Sequence, residues 1–360
     1  MLASSSFGPA LAALELERVL LIPTAANALA DRATIVEAAR SELFDHGAEV
    51  LELDLDDPAA VSDLVSSTTS RPDAVCCSGG DPYRLLAACR RSGFDELVRS
   101  WLEDGVAWIG QSAGALVAGP TLAPIADVTP FERPPGLDVT ALGVSELLAL
   151  PHDDRPGRRA AHAAAQRSYG GTCRMVAIRD GESLSVDGSG WTLSDHAAER
   201  MMRPARIDDA AGVAECLAAA GAAAWTFLGD QVAAMEPQVG PWTTRIGALE
   251  DPDDLLVAID DDGVHGFVHV RMGVDEGVGE VDTLFSLPRV WGAGVGRRLL
   301  TLGLDRLRAR GCDVAVLWTE ERNDRARRIY ERAGWVLDGA CRDRVFVDVP
   351  IHELRYRLPL

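Results

Sequence analysis

The chain has 360 residues, of which 47% are hydrophobic, and it carries a formal net charge of −20 at pH 7. All 35 of its basic residues are arginine, and both halves of the chain are acidic. This composition argues against a general binder of the nucleic-acid backbone, which needs a basic face. No apolar run reaches the roughly 18–20 residues that a membrane-spanning helix requires. The length predicts two or three globular domains.

Cysteine use gives an expectation about the cellular compartment. There are seven cysteines, an odd number, and none forms a CxxC pair. This is not the pattern of a disulfide framework, so a reducing cytoplasm is expected. Residues 1–14 lack the basic start of a secretory signal peptide. We therefore expect a cytoplasmic protein that has neither a membrane nor a nucleic-acid partner.

The first half of the chain alternates between strand-like and helix-like segments. The predicted strands are 19–22, 50–55, 74–77 and 106–109, and the predicted helices are 35–44, 85–91 and 97–102. Such alternation indicates an α/β domain, here residues 1–198, with a doubly wound and mostly parallel sheet. Functional sites in these sheets form at the carboxyl ends of the strands.

The pattern restarts near residue 200, which predicts a second domain over residues 201–360. A strand that leads into a helix begins at residue 202. The further predicted strands are 255–259, 266–270, 280–287 and 313–318, and the further predicted helices are 295–308 and 325–333. A turn at 260–263 joins the first two of these strands as a hairpin. The second domain is therefore expected to be α+β with a mixed sheet.

A serine between small residues follows the last predicted strand of the first domain. The segment GQSAGA at 110–115 has the G-x-S-x-G form of a nucleophile elbow, in which small neighbours permit a tight turn between strand and helix. A nucleophilic serine also needs a base, an orienting acid and amides for the oxyanion. The alternative is a small-residue turn without a catalytic role.

The first half resembles the aspartyl dipeptidase (peptidase E) family of serine peptidases. The matching segments are LIPTA at 21–25, SGGD at 78–81, GQSAGA at 110–115, PT at 120–121, Asp127, ALG at 141–143 and PH at 151–152. The resemblance implies a sheet like that of the class I glutamine amidotransferases. It also implies these roles: Ser112 as nucleophile, His152 as general base, Asp127 or its rival Glu182 as orienting acid, and the amides of Gly80 and Ala113 as oxyanion donors. For His152 alone, a surface or capping role is the alternative.

One position departs from the family pattern. The residue after the Gly-Gly pair is Asp81, where the family usually has asparagine. A carboxylate beside the site would repel an acidic substrate side chain, which argues against a preference for N-terminal aspartate. Arg158, Arg159 and Arg174 are candidates for cationic recognition of the substrate.

A glycine-rich turn in the second half is the other candidate site. The segment WGAGVGRR at 291–298 opens a predicted helix. Backbone amides at a helix N-terminus bind a pyrophosphate, and glycines let the backbone approach closely. A Rossmann turn is the usual alternative, but it needs an acidic residue roughly 20 positions later, at the end of the next strand. Asp313 is near that distance but begins its strand, so the dinucleotide interpretation fits poorly.

Residues 202–360 resemble the GNAT acetyltransferase family. The matching segments are RPA at 203–205, LFSLP at 284–288, WGAGVGRRLL at 291–300 and NDRARRIYERAGW at 323–335. The resemblance implies direct acetyl transfer from acetyl-CoA to an amine, without a metal. It assigns Tyr330 as the general acid and gives the cofactor contacts to Phe285, Leu287, Gly292, Ala293, Gly294, Val295, Gly296, Arg297 and Asn323. The base is left open among Glu280, Asp282 and Glu320.

Together the two halves predict a bifunctional fusion. One half would be an N-acetyltransferase, and the other a dipeptidase-like hydrolase with a Ser-His-Asp or Ser-His-Glu site. The expected partners are small-molecule or short-peptide substrates, and a homodimer is left open. Two alternatives remain for the first half: a non-catalytic binding or sensing module, or a cleft for a larger acidic peptide polymer, as in related cyanophycin-degrading enzymes.

Overall fold

In the computed structural model the chain forms two compact units, Met1–Glu199 and Arg200–Leu360. The structure describes residues 1–66, 71–229, 232, 234–251, 254–346 and 348–360. The strands of the first unit are β1 Leu2–Ala3, β2 Arg18–Ile22, β3 Glu49–Glu52, β4 Ala74–Cys77, β5 Ala107–Gln111, β6 Leu147–Leu150, β7 Arg174–Ala177, β8 Glu182–Asp187 and β9 Gly190–Asp195. Its α-helices are α1 Arg32–Asp45, α2 Pro58–Ser66, α3 Pro82–Ser92, α4 Phe94–Glu103, α5 Ala113–Ala118 and α6 Arg158–Tyr169.

The main sheet of the first unit has the strand order β9-β8-β1-β5-β4-β2-β3. The strands from β1 to β3 in that order run parallel, whereas β8 pairs antiparallel with both β1 and β9. Strands β6 and β7 form a separate parallel pair. This is the doubly wound, mostly parallel α/β sheet that the alternating pattern predicts.

The core of the first unit explains why the early strands are so apolar. Strand β4 is buried along its whole length, and β2 is buried from its second residue onward. A strand that has neighbours on both sides and covered faces becomes a continuous hydrophobic run. Polar side chains are therefore absent from β4 and from the buried part of β2, and the candidate site lies in the loops at the carboxyl ends of the strands.

The second unit contains one mixed sheet. Its strands are β10 Arg200–Pro204, β11 Leu255–Asp260, β12 Gly263–Met272, β13 Val278–Ser286, β14 Val314–Glu320, β15 Val336–Phe346 and β16 Val349–Pro359. Its α-helices include α7 Ala210–Ala224, α8 Val239–Gly247, α9 Val295–Ala309 and α10 Asp324–Arg332. The strand order is β10-β11-β12-β13-β14-β16-β15, and among the described strand pairs of this unit only β13–β14 is parallel.

Two irregularities of β13 open this sheet. The ladder with β14 runs only from Val278 to Val281, although both strands continue further. Beyond that point β13 pairs with β12 alone and β14 pairs with β16 alone. A β-bulge lies at the same place, because His269 faces Thr283 while its neighbour Val270 faces Val281. The two central strands therefore part, which leaves one edge of β13 free for a ligand.

No helix within the described part of the chain is long and apolar enough to cross a membrane.

Candidate active sites

Ser112 lies directly after β5 and precedes α5 in a strained conformation. Its φ is 48° and its ψ is −99°, a combination that side-chain-bearing residues rarely adopt. The flanking glycines permit it: a Cβ on Gly110 would overlap the Gly114 carbonyl, and a Cβ on Gly114 would overlap the carbonyl of Cys77. The G-x-S-x-G spacing is thus a packing requirement of the turn that presents the hydroxyl at the edge of the sheet.

The side chains of Ser112, His152 and Asp180 form a continuous hydrogen-bonded chain. The distance from Ser112 Oγ to His152 Nε2 is 2.9 Å, and the distance from His152 Nδ1 to Asp180 Oδ1 is 2.7 Å. His152 follows β6 and, like Ser112, has a positive φ, of 68°. A hydroxyl, an imidazole and a carboxylate in this order are the arrangement that activates a serine.

Ser4 completes this network and is a residue that the sequence patterns do not single out. Its buried hydroxyl accepts a hydrogen bond from the His152 backbone N–H at 2.8 Å and donates one to Asp180 Oδ1 at 2.7 Å. Ser4 directly follows β1, and the Ser112 N–H donates to the carbonyl of Ala3 in that strand at 2.9 Å. One short strand therefore positions the serine, the imidazole and the carboxylate together.

The pKa values of the two titratable members favour the protonation states that this chemistry needs. Burial lowers the pKa of His152 below its usual 6.5, the hydrogen bond to Asp180 opposes this, and the charge of Arg155 lowers the pKa further. Burial alone would raise the pKa of Asp180, but hydrogen bonds from Arg155, Ser4 and His152 outweigh it and lower that pKa to about 2. At neutral pH the imidazole is therefore neutral and the carboxylate ionised.

Changing Arg155 to glutamine is expected to move the acid limb of the pH profile for reactions at Ser112 to higher pH. The Arg155 charge lowers the pKa of His152, so its removal raises that pKa. The base acts only when neutral, so activity disappears as the pH falls through the pKa of His152, and a higher pKa moves that loss to higher pH. The measurement is kcat/KM against pH. The control is Arg167→Gln, which also removes one positive charge. Arg167 is exposed on α6. An unshifted limb in R155Q would contradict the prediction.

Neither Asp127 nor Glu182, the two acids predicted to orient His152, is the carboxylate that bonds its imidazole. The carboxylate on His152 Nδ1 belongs to Asp180, whereas Asp127 is exposed in a turn. Glu182 is the first residue of β8, and its carboxylate accepts a hydrogen bond from the Arg179 N–H at 2.8 Å. The turn at Gly181, whose φ is +82°, explains why Asp180 rather than Glu182 bonds His152. The turn lies just before β8 and leaves Asp180 in the loop beside His152.

Asp81 is not the repulsive neighbour that the sequence suggests. Its side chain accepts hydrogen bonds from the N–H groups of Tyr83 and Arg84 and so caps the N-terminus of α3. An asparagine would make the same cap, because both side chains offer an oxygen to these amides. The carboxylate caps the helix and does not line the pocket beside Ser112, which weakens the argument against an acidic substrate.

The predicted oxyanion donors lie beside Ser112. Ala113 opens α5, so its N–H is one of those that a helix leaves without an intrahelical partner. Gly80 has a φ of +140°, and a Cβ there would overlap the carbonyl of Ala25, so only glycine fits. Gly79 lies next to the nucleophile, since a Cβ on it would stand 3.5 Å from Ser112 Cβ.

A pocket of about 480 Å³ opens onto Ser112 and His152. Its walls include apolar residues such as Ile35 and Phe131, together with the cations Arg155 and Arg158. This volume falls in the range of pockets that take a small ligand. Neither Arg159 nor Arg174, the other cationic candidates, lines it: Arg159 pairs with Asp153 and Arg174 with Glu146.

In the second unit, the glycine turn precedes α9 as predicted. Gly292 and Gly294 have φ values of +87° and +83°, which favour glycine. Helix α9 begins at Val295, so its first amides point out of the turn. The Ala293 N–H is already used, because it donates to the carbonyl of Val290 at 3.2 Å. The turn therefore offers the amides at the start of α9 to an anionic group.

The predicted backbone contacts of Phe285 and Leu287 need correction. The Leu287 N–H donates to the carbonyl of His265 at 2.8 Å, so it faces β12. Phe285 lies two residues earlier, pairs with Phe267 of β12 and has the same orientation, because alternate residues of a strand point the same way. The free edge of β13 therefore presents the backbone N–H and C=O groups of Leu284 and of every second residue counted from it. The sequence could not show this, since the bulge decides which residues face the opening.

The three carboxylates considered as a base differ in how their oxygens are occupied. Asp282 is held by His269, Arg271, Arg245 and Thr283. Burial alone would raise the pKa of Asp282, but these contacts outweigh burial and lower that pKa well below its usual value. Both oxygens of buried Glu320 are bound by Arg322, one by its N–H and the other by its guanidinium.

Glu280 is less constrained than the other two carboxylates. Its pairing with Arg271 uses Oε2 alone, at 3.1 Å and 2.9 Å. Within the described part of the chain, Oε1 accepts no hydrogen bond. Glu280 also lies on the last paired stretch of β13, where that strand parts from β14. Among the three carboxylates, it is therefore the one with an oxygen left unoccupied by the described residues.

Tyr330 and Asn323 lie at the helix that follows β14. Tyr330 is on α10, with its ring centroid 6.1 Å from that of Trp335 and 6.0 Å from that of Tyr356. Burial raises the pKa of Tyr330 to about 12. Asn323 is the N-cap of α10, and its side-chain oxygen accepts from the Ala326 N–H at 3.2 Å. The cap uses one lone pair of this oxygen and does not use the amide NH₂ group.

Comparison with known families agrees with this two-site arrangement. The model of peptidase family S51 matches residues 4–194. The chain belongs to peptidase family S51. The model of the acetyltransferase (GNAT) family matches residues 223–335. This S51 member thus joins a peptidase E-like unit to a GNAT unit, and both resemblances and the fold class predicted from the sequence are confirmed.

Curated relatives fall into the same two groups. A peptidase E of Streptomyces coelicolor is 29% identical over 184 residues, which cover 49% of this chain and 72% of the relative. A mycothiol acetyltransferase of Kineococcus radiotolerans is 33% identical over 208 residues, covering 53% of this chain and 68% of the relative. A mycothiol acetyltransferase of Streptomyces avermitilis is 26% identical over 255 residues, covering 66% of this chain and 79% of the relative.

Proposed function

We propose that the first unit is a serine hydrolase that cleaves short peptides with a free N-terminus. The supporting observation is the chain Ser112–His152–Asp180, with distances of 2.9 Å and 2.7 Å, on a strained turn beside a pocket. His152 takes the Ser112 proton as the hydroxyl attacks the peptide carbonyl. The amides of Gly80 and Ala113 stabilise the oxyanion, and His152 then returns the proton to the leaving amine.

The test is labelling by a fluorophosphonate probe, which reacts with activated serines. We expect stoichiometric modification of Ser112 in the wild type and none in Ser112→Ala. His152→Gln should slow labelling by at least about a hundredfold, because the general base is lost. Ser41 is a serine on α1 outside the pocket, and a Ser41→Ala variant should label like the wild type. Absence of labelling in the wild type would favour a non-catalytic binding module instead.

The non-catalytic alternative was motivated by Asp81, whose carboxylate caps α3 and does not line the pocket. The pocket of about 480 Å³ is also the size of a small-ligand site. A dipeptide therefore suits it better than a long polymer, and activity on dipeptides but not on an acidic peptide polymer would decide between these substrates.

For the second unit we propose an N-acetyltransferase that uses acetyl-CoA as co-substrate. The supporting observation is the parting of β13 and β14 next to the glycine turn at 292–296. The amides at the start of α9 would hold the pyrophosphate, and the free edge of β13 would hold the amide-bearing arm. Acetyl-CoA supplies the activated acyl group. Glu280 accepts the proton of the amine, and Tyr330 protonates the departing thiolate.

The experiment for this unit is free-thiol release from acetyl-CoA in the presence of a panel of small amines and short peptides. Release that depends on an amine supports the transferase, and release that is equal without any amine contradicts it. Relatives called mycothiol acetyltransferases make amines related to mycothiol a sensible first group. Products of the hydrolase belong in the panel too, because peptide cleavage creates a new α-amine.

A further inference from the structure

Trp291 lies on the free edge of β13. Its indole N–H donates to the carbonyl of Ser286 at 2.8 Å. Ser286 lies between Phe285 and Leu287, whose backbone groups face β12, so its own carbonyl points away from β12. The half-buried indole therefore occupies the end of the opening where β13 and β14 part.

Arg325 reaches the same indole from the other side of the opening. It lies in the first turn of α10, the helix that follows β14. Its guanidinium carbon is 3.9 Å from the centroid of the Trp291 ring, which is the distance of a close cation–π contact. One partner of this stack is thus attached to β13 and the other to the helix after β14. The pair spans the opening next to the glycine turn at 292–296.

The stack orients Arg325 without using its hydrogen-bond donors. A guanidinium has five N–H groups and no acceptor, and stacking on a ring leaves the N–H groups at its edge available. Within the part of the chain that the structure describes, the guanidinium of Arg325 has no ion pair and no hydrogen bond. The side chain is exposed, so a ligand at the turn has access to it.

Arg325 differs in this respect from two other arginines near the start of α10. Arg322 is paired with Glu320 at 2.8 Å. Arg327 donates to the phenol oxygen of Tyr356 at 3.2 Å. A guanidinium that keeps its donors, next to a turn that offers backbone amides, complements a group whose negative charge is spread over several oxygens. In a chain of net charge −20, such a cation also reduces the repulsion between the protein and an anionic ligand.

We propose that Arg325, held by Trp291, binds the pyrophosphate of acetyl-CoA together with the amides at the start of α9. Arg325 is then a cofactor-binding residue, and Trp291 is a positioning residue that acts through it. This inference rests on the proposed acetyltransferase function. It adds a cation and its aromatic support to a site that the proposed function builds from backbone groups.

The test is calorimetric binding of CoA and of dephospho-CoA, which keeps the pyrophosphate but lacks the ribose phosphate. We expect Arg325→Gln to weaken the binding of each by about tenfold, the effect of one charge-assisted hydrogen bond. In the transfer assay the same variant should raise KM for acetyl-CoA by about tenfold and leave kcat within about twofold. With S-acetylpantetheine, which has no phosphate, kcat/KM should stay within about twofold. A loss confined to CoA, or an equal loss with S-acetylpantetheine, would overturn the proposal.

The role of Trp291 is tested through its dependence on Arg325. Trp291→Leu removes the ring, so it should weaken CoA binding as much as Arg325→Gln does. The double variant should bind no more weakly than either single variant, because both changes remove the same interaction. Trp291→Phe keeps an aromatic face for the guanidinium and should restore most of the affinity. Additive losses in the double variant would show that Trp291 does not act through Arg325.

Arg332→Gln is the matched control. Arg332 is exposed at the last position of α10, so its substitution removes the same charge from the same helix about two turns away. The affinity for CoA should stay within about twofold.

Binding and transfer measured side by side separate this inference from the proposed function. CoA binding that depends on Arg325, without transfer to any amine, supports the inference and contradicts the transferase. CoA binding that is unchanged in Arg325→Gln overturns the inference alone. Absence of CoA binding by the wild type overturns both.

Discussion

Changing Asp180 to asparagine is expected to lower kcat for peptide hydrolysis by about 10³–10⁴-fold. The carboxylate accepts the His152 Nδ1–H at 2.7 Å, which leaves Nε2 free to take the proton of Ser112. An asparagine amide can donate to Nδ1 instead and so favours the wrong tautomer. It also removes the charge that stabilises the imidazolium. The measurement is kcat on a dipeptide, with the labelling rate of Ser112 falling in parallel.

Two other substitutions serve as controls for Asp180. Asp127→Asn removes one charge from an exposed turn and should leave kcat within about twofold, as expected for a surface change. Glu182→Gln alters a buried side chain that bonds the Arg179 N–H, so it should lower thermal stability more than kcat. A large loss of kcat in either variant, with a mild effect in D180N, would return the role of orienting acid to that residue.

The contrast between Asp180 and Glu182 shows where sequence reasoning stopped. The family resemblance proposed Ser112, His152 and the oxyanion amides, and of these the G-x-S-x-G turn around Ser112 also has a local sequence signature. The acid that bonds His152 lies in a loop, where two acidic residues, Asp180 and Glu182, flank Gly181. Which of them reaches His152 depends on the residue at which β8 begins, and strand boundaries are the least certain part of any such prediction.

Ser4 illustrates a second limit of prediction from the sequence. Strand β1 has only two residues, too few for an apolar pattern, yet it pairs with β5 and β8 in the middle of the sheet. Its position depends on contacts with residues more than a hundred positions away, which no local pattern encodes. In the second unit the same applies to β13, whose bulge reversed the expected direction of the Leu287 amide. Helix α9, by contrast, has a long apolar stripe and was predicted to within one residue at its C-terminus.

Changing Tyr330 to phenylalanine is expected to lower kcat for acetyl transfer by about a hundredfold, while leaving the affinity for acetyl-CoA nearly unchanged. The phenol donates its proton to the departing thiolate only as the bond breaks, so its loss affects the chemical step more than binding. Burial raises the pKa of Tyr330 to about 12. The acid therefore stays protonated through the neutral range, and its activity would be lost only as the pH rises through that value. The measurements are amine-dependent thiol release and calorimetric binding.

Tyr356→Phe is the matched control, because it removes a neighbouring phenol that already has partners. Tyr356 donates to Glu331 at 2.7 Å and accepts from Arg327 at 3.2 Å. Its loss should reduce stability by about 1 kcal/mol, the net contribution of a hydrogen bond, and leave kcat within about threefold. Equal losses of kcat in the two variants would mean that Tyr330 supports the structure of α10 and that another group protonates the thiolate. A Tyr330→Phe variant that retained the wild-type kcat across the pH range would show that a group other than Tyr330 protonates the thiolate.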